Sequence, residues 1–133
     1  MGYAFTLERP HDDVAVPCAF NGDQMNYVRL VMIEAGAVAG GGFESPTRPA
    51  PGLEITEQTL PISLFLSNDG WHITPDQAAF VAGRLRRAVA GGVVSLLMDF
   101  LDDAPDRDDV LSWVEEFAAF NEGAAAQDGY FVC

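Results

Sequence analysis

The stretch SNDGWHITPDQ, residues 67–77, places a turn directly before the start of a helix and so decides the layout of the middle of the chain. Its Asn-Asp-Gly segment, residues 68–70, consists of residue types that tolerate the positive φ angles of tight turns. Thr74 can cap a helix with its hydroxyl, and Gln77 stands three residues later, where its side chain completes a capping box. The stretch therefore predicts a turn at 68–70 and a helix that begins after Thr74.

Working outward from this stretch, apolar residues recur at helical spacing in four segments bounded by cap or stop signals. These helices are predicted from a cap at Asn21 or Asp23 to about Gly36, over 74–90, over 93–101, and from a cap at Asp106 onward. Residues 3–7 and 60–66 have strand character, and residues 130–132 can return as a final strand. The sequence thus predicts an α+β fold: a mostly helical single domain of about four helices with a small two- or three-stranded sheet.

The length of 133 residues fits one domain. Residues 37–60 are rich in glycine and proline, and we interpret them as a long internal loop because the composition is the same on both sides. The longest apolar stretches fall short of the ~18 residues of a membrane span, and the N-terminus lacks a basic region followed by an apolar one. Cys18 and Cys133 are too few for a disulfide framework. We therefore expect a cytoplasmic protein with reduced thiols and no membrane association.

The chain is strongly acidic, with a net charge of −13 from 20 acidic residues against 7 basic ones, all arginine. Half of the acids lie from residue 99 onward, where Arg107 is the only base. They are Asp99, Asp102, Asp103, Asp106, Asp108, Asp109, Glu115, Glu116, Glu122 and Asp128. Solubility, a GC-rich genome or adaptation to high salt would explain the acidity without a binding role. Its asymmetry favours a face for a basic protein partner, and direct nucleic-acid binding is disfavoured because phosphate contacts need basic residues.

The two tryptophans, Trp71 and Trp113, have the largest side chains in the sequence. Trp113 shares a helical face with Val110, Val114 and Phe117, so we expect it in the core. Trp71 stands beside the predicted turn and is the better candidate for a partly exposed contact residue.

Residues with catalytic or metal-binding chemistry are few. Asp69 and His72 could form a pair for general base catalysis, but turn chemistry already explains Asp69, and His72 fits a strand residue. The acids of 99–109 lack the spacing of a calcium loop, and we interpret them as helix ends with Asp106 as a cap and Asp108 and Asp109 at the positive end of the helix dipole. Two histidines and two cysteines, scattered along the chain, do not suggest a zinc site, and no nucleotide-binding motif is present. We expect no cofactor, no metal and no catalytic residue.

Five short motifs resemble those of a group of small uncharacterised bacterial proteins. They are Phe20-Asn21, the turn at 67–70, Thr74-Pro75-Asp76, the helix segment WVEEFAAF at 113–120, and Gly129-Tyr130-Phe131. The chain departs from the group at Trp71-His72, where the group has a polar residue. Some members look like immunity proteins of polymorphic toxins, so the resemblance implies inhibition of a partner and transfers no catalytic residue.

Three functions follow as hypotheses. The first is a non-enzymatic acidic binding protein, immunity- or inhibitor-like, that neutralises a basic protein partner. Its predicted binding residues are Trp71, Asp102, Asp103, Asp106, Asp108 and Asp109. The second is a small enzyme or ligand-binding protein with a pocket under the 37–60 loop near Asp69 and His72. The third is a homo-oligomeric structural protein in which an edge strand pairs with that of a second copy.

Overall fold

The computed structural model describes residues 2–7, 18–40, 53–66, 70–101 and 106–132. The helices in these ranges are α1 (Gly22–Glu34), α2 (Pro75–Ala90), α3 (Val93–Phe100) and α4 (Arg107–Ala125), with a short 3₁₀ helix at Ile62–Phe65. The strands are β1 (Gly2–Leu7), β2 (Cys18–Asn21), β3 (Val38–Ala39), β4 (Leu60–Pro61), β5 (Trp71–Ile73) and β6 (Tyr130–Val132). The predicted class, a mostly helical α+β domain with a small sheet, is confirmed.

The main sheet has four antiparallel strands in the order β2-β1-β6-β5. Phe5 at its centre lies opposite Cys18 on one side and Val132 on the other, and all three side chains are buried. Residues directly opposite each other point to the same face of a sheet, so this row faces the helices. Two strands of this sheet, β2 and β5, are not among the predicted ones, because strands of four and three residues are too short for their alternation to be recognised.

The strand predicted over 60–66 is wrong beyond its first two residues. Leu60–Pro61 pairs in parallel with Val38–Ala39, and the chain then turns into the 3₁₀ helix. Side chains three residues apart share a face of a 3₁₀ helix, and Ile62 and Phe65 are both buried. The buried side chains of this apolar run are therefore three residues apart, as in a 3₁₀ helix, rather than two, as in a strand.

The predicted helix caps are confirmed. The Thr74 hydroxyl accepts a hydrogen bond of 3.2 Å from the backbone N–H of Gln77, while the Gln77 side chain accepts one of 2.9 Å from the N–H of Thr74. Asn21 and Gln24 form the same reciprocal arrangement at the start of α1. Most of the turn that precedes Thr74, residues 67–69, lies outside the described residues.

The core centres on Phe117 of α4. Its ring centroid lies 4.8 Å from that of Phe5, 6.1 Å from that of Phe20 and 6.3 Å from that of Phe65. These rings come from two strands and the 3₁₀ helix, so one side chain of α4 holds the sheet and the middle of the chain together. Trp113, by contrast, is only partly buried at the margin of this core. The expectation that Trp113 is a core residue needs that correction, since the fully buried positions of α4 begin at Val110 and continue at Val114 and Phe117.

Candidate binding surface

The solvent side of α4 carries most of the acids that the structure describes in the last quarter of the chain. Its exposed residues include Asp108, Asp109, Ser112, Glu115, Glu116, Ala119 and Glu122. Positions 108, 115 and 122 are seven residues apart, which places them along one side of the helix over about 21 Å. We call Asp106, Asp108, Asp109, Glu115, Glu116 and Glu122 the acidic face.

The N-terminal end of the acidic face also stabilises the helix start. Oδ1 of Asp106 accepts a hydrogen bond of 2.8 Å from the backbone N–H of Asp108, so Asp106 is the N-cap of α4. Asp108 and Asp109 lie in the first turn, where the helix dipole favours negative charge. The structural interpretation of these three residues is thus confirmed, and it explains their positions without a partner. Asp102 and Asp103 lie outside the described residues.

The C-terminal end of the acidic face contacts α2. Oε1 of Glu122 accepts hydrogen bonds from Nη2 of Arg86 at 2.6 Å and from Nε at 3.2 Å. This bond and the charge of Glu122 raise the pKa of Arg86 above its ordinary value. Both side chains are about half exposed, so the pair orients Glu122 more than it stabilises the fold.

The middle of the acidic face reaches the β2 edge of the sheet. Cys18 of β2 is 2% exposed, and its burial, with the nearby charge of Glu116, raises the pKa of its thiol to about 12. The thiol therefore stays protonated at neutral pH, which is the opposite of what a cysteine nucleophile requires.

Trp71 lies at the other edge of the sheet, on β5, and its side chain is 45% exposed. Three inter-strand spacings, about 14 Å, separate the β2 and β5 edges. The structure therefore gives Trp71 the exposure expected of it, but it does not bring Trp71 next to Glu116. The described residues therefore do not place Trp71 and the middle of the acidic face in one small-molecule site.

His72 is a strand residue on the outer face of the sheet. It lies opposite Phe131 on β6, and the two ring centroids are 4.9 Å apart. Asp69, its predicted partner for general base catalysis, lies outside the described residues.

The arginines of α2 separate into different environments, which sequence reasoning did not foresee. Arg84 is buried, although arginine is mostly an exposed residue type, and Arg86 bonds Glu122. A long arginine stem can lie along apolar surface while its guanidinium reaches a backbone carbonyl. The spacing of Arg84 four residues after Phe80 is the signal that could have suggested this contact.

Within the described ranges, no three His, Cys, Asp or Glu side chains are placed to hold a metal ion. No helix there has the length and apolar character to cross a bilayer. Comparisons with family models, with curated proteins and with solved structures gave no match for this chain.

Proposed function

We propose that the chain is a non-enzymatic binding protein that neutralises a basic protein partner, in the manner of an immunity protein or inhibitor. The observation that carries this proposal is the acidic face, where acidic residues follow one side of α4 for about 21 Å and the last of them, Glu122, is paired with Arg86. The resemblance to immunity-like proteins points to the same kind of partner.

Electrostatics gives the acidic face a specific role in this proposal. In a protein of net charge −13, a further concentration of charge on one helix strengthens the attraction of a basic surface as it approaches. Charges at the rim of an interface act mainly on the association rate, and burial of larger side chains holds the complex. Trp71 is the side chain assigned to this anchoring role, at the opposite edge of the sheet.

The experiment begins with a pull-down from the native host followed by mass spectrometry. Association of the identified partner is then measured by stopped-flow kinetics at low and high ionic strength. The test variant is Glu115→Lys with Glu116→Lys, because these residues lie away from the helix start and their reversal spares the Asp106 cap. We expect association to slow by roughly tenfold at low salt, with a smaller effect at high salt.

The matched control is Glu54→Lys with Asp99→Lys, which makes the same change in net charge at exposed sites outside α4. We expect this control to slow association much less. Equal effects from the two pairs would show that the acidity acts only through net charge, and the proposed role of α4 would be lost. Circular dichroism of each variant separates an effect on binding from an effect on folding.

Self-association is a second candidate because β5 lies at the end of the strand order in the described sheet. An edge strand has backbone groups that can pair with a second copy. Light scattering over a range of concentrations tests this candidate, and a monomeric mass throughout would exclude it.

A further inference from the structure

A surface groove runs between α2 and the segment that precedes the 3₁₀ helix. Two adjoining hollows of about 290 and 210 Å³ form it, and they share Phe80 and Gln58 as lining residues. From α2 the groove is lined by Asp76, Gln77, Ala79, Phe80, Gly83, Arg84 and Arg87. This side of α2 differs from the one that packs in the core through Ala78, Val81 and Leu85. The groove is therefore separate from the acidic face of α4.

The two ends of the groove have opposite charge. The larger hollow has Asp76 and Glu57 among its lining residues, and the smaller one has Arg84 and Arg87. Phe80 lines both hollows, and Leu60 and Pro61 line the larger one with it, so the middle of the groove has apolar residues. A ligand that fits this arrangement has a positive group at one end, an apolar middle and a negative group at the other.

Arg84 gives the basic end a fixed geometry. Its Nη1 donates a hydrogen bond of 2.9 Å to the backbone carbonyl of Glu54, and its guanidinium lies 5.0 Å from the centre of the Phe80 ring. The side chain is 8% exposed, so these contacts hold it in place. Arg84 therefore contributes its positive charge to this end, whereas Arg87 is exposed and has a guanidinium whose planar shape matches that of a carboxylate.

The length of the groove selects the class of ligand. Asp76 and Arg87 are eleven positions apart on α2, which corresponds to about 16 Å along the helix axis. A free amino acid is too short to reach both ends, whereas five residues of extended chain span about 16–18 Å. We propose that this groove binds an extended peptide segment of about five residues, with a basic side chain at Asp76 and Glu57, an apolar residue over Phe80, and a carboxylate at Arg84 and Arg87.

The test uses three capped peptides that differ only in their end charges: Lys-Ala-Leu-Ala-Glu, Lys-Ala-Leu-Ala-Lys and Glu-Ala-Leu-Ala-Glu. Binding is followed by the shifts of backbone amide signals in ¹H–¹⁵N NMR spectra. We expect the mixed peptide to shift the signals of 57–61 and 76–87 in a saturable manner, with a dissociation constant of about 1 mM or lower. No saturable shift at these residues up to about 10 mM would overturn the proposal.

Charge reversal at the basic end separates recognition from a structural effect. Arg87→Glu should weaken binding of the mixed peptide roughly tenfold and remove its preference over the doubly basic peptide, because Arg84 and the new glutamate together carry no net charge. Arg86→Glu, one residue away and directed to α4, should change the affinity by no more than about twofold. A similar loss from both variants, or an unchanged preference, would contradict the proposal. Glu57→Lys provides a second test from the acidic end, where the mixed peptide should lose its preference over the doubly acidic one because Asp76 and the new lysine together carry no net charge.

The peptides also keep this proposal separate from the proposed function. Binding of the doubly basic peptide to the acidic face would shift signals of 108–122 and not those of the groove. Failure of either surface to bind therefore leaves the result for the other unaffected.

Discussion

The hydroxyl of Tyr130 donates a hydrogen bond of 2.8 Å to Oδ1 of Asn121, and both side chains are completely buried. The Asn121 amide in turn donates a bond of 2.8 Å to the backbone carbonyl of Phe117, one turn earlier in α4. Burial raises the pKa of Tyr130 well above its ordinary value, so the phenol remains a donor. This chain of bonds fixes the last strand to the last helix in an otherwise apolar interior.

Tyr130→Phe should destabilise the protein by about 1–3 kcal/mol, because it leaves Oδ1 of Asn121 buried without its donor. Urea unfolding measures the change. Asn121→Leu and the double variant complete a cycle, and we expect an interaction energy of at least about 0.5 kcal/mol between the two sites. Strictly additive effects would mean that the bond does not contribute to stability.

Thr74→Ala should lower the free energy of unfolding by about 1 kcal/mol, because the backbone N–H of Gln77 loses the acceptor that the capping box provides. Thr74→Ser keeps the hydroxyl and is the matched control, for which we expect a much smaller loss. Chemical denaturation compares the three proteins. An unchanged midpoint and slope for Thr74→Ala would count against a stabilising cap.

Phe117→Ala should cost about 3–5 kcal/mol, because it removes the ring that contacts both the sheet and the 3₁₀ helix. Trp113→Ala should cost less, although its side chain is larger, since Trp113 is only partly buried. Unfolding of the two variants in parallel provides the measurement. A larger loss of unfolding free energy for Trp113→Ala than for Phe117→Ala would support the original expectation that Trp113 is a core residue.

The stability of the protein should fall above about pH 9 because of Cys18. The folded state raises the pKa of this thiol from 9.0 to about 12, so between these values the folded protein holds a proton that the unfolded chain releases. The contribution of Cys18 to the free energy of unfolding is fully present below pH 9. It is lost as the pH rises toward 12, by at most about 1.4 kcal/mol per pH unit. Tyr130 acts in the same direction, and the sequence contains no lysine to titrate in this range. Denaturation at several alkaline pH values should show the decline, and a shallower one in Cys18→Ala.

The helices could be predicted from the sequence because their signals are local. The Thr74-Pro75-Gln77 pattern begins α2, and Asp106 begins α4, wherever the rest of the chain lies. The sheet could be predicted only in part. The strand Cys18–Asn21 pairs with β1, where Phe5 lies opposite Cys18. The residues of this short strand and their near neighbours do not indicate that β1 is the partner.

The candidate surface, like the sheet, could be predicted from the sequence only in part. Exposure of Trp71 and of the acids of α4 could be predicted from turn position and helical spacing. Burial of Arg84 depends on the carbonyl of Glu54, thirty positions earlier, and the pairing of Arg86 depends on Glu122 of another helix. Contacts between distant segments decide which charges reach the surface, so the sequence alone does not distinguish the three arginines of α2.

The position of β1 between β2 and β6 has a consequence for synthesis of the protein. Phe5 pairs with Val132, more than 120 positions later in the sequence. On the ribosome, one edge of β1 therefore stays unpaired until β6 has been translated and has left the ribosome. A nascent chain that stops early would leave that edge open to other chains, so truncated products of this protein should be the ones that chaperones retain or that aggregate.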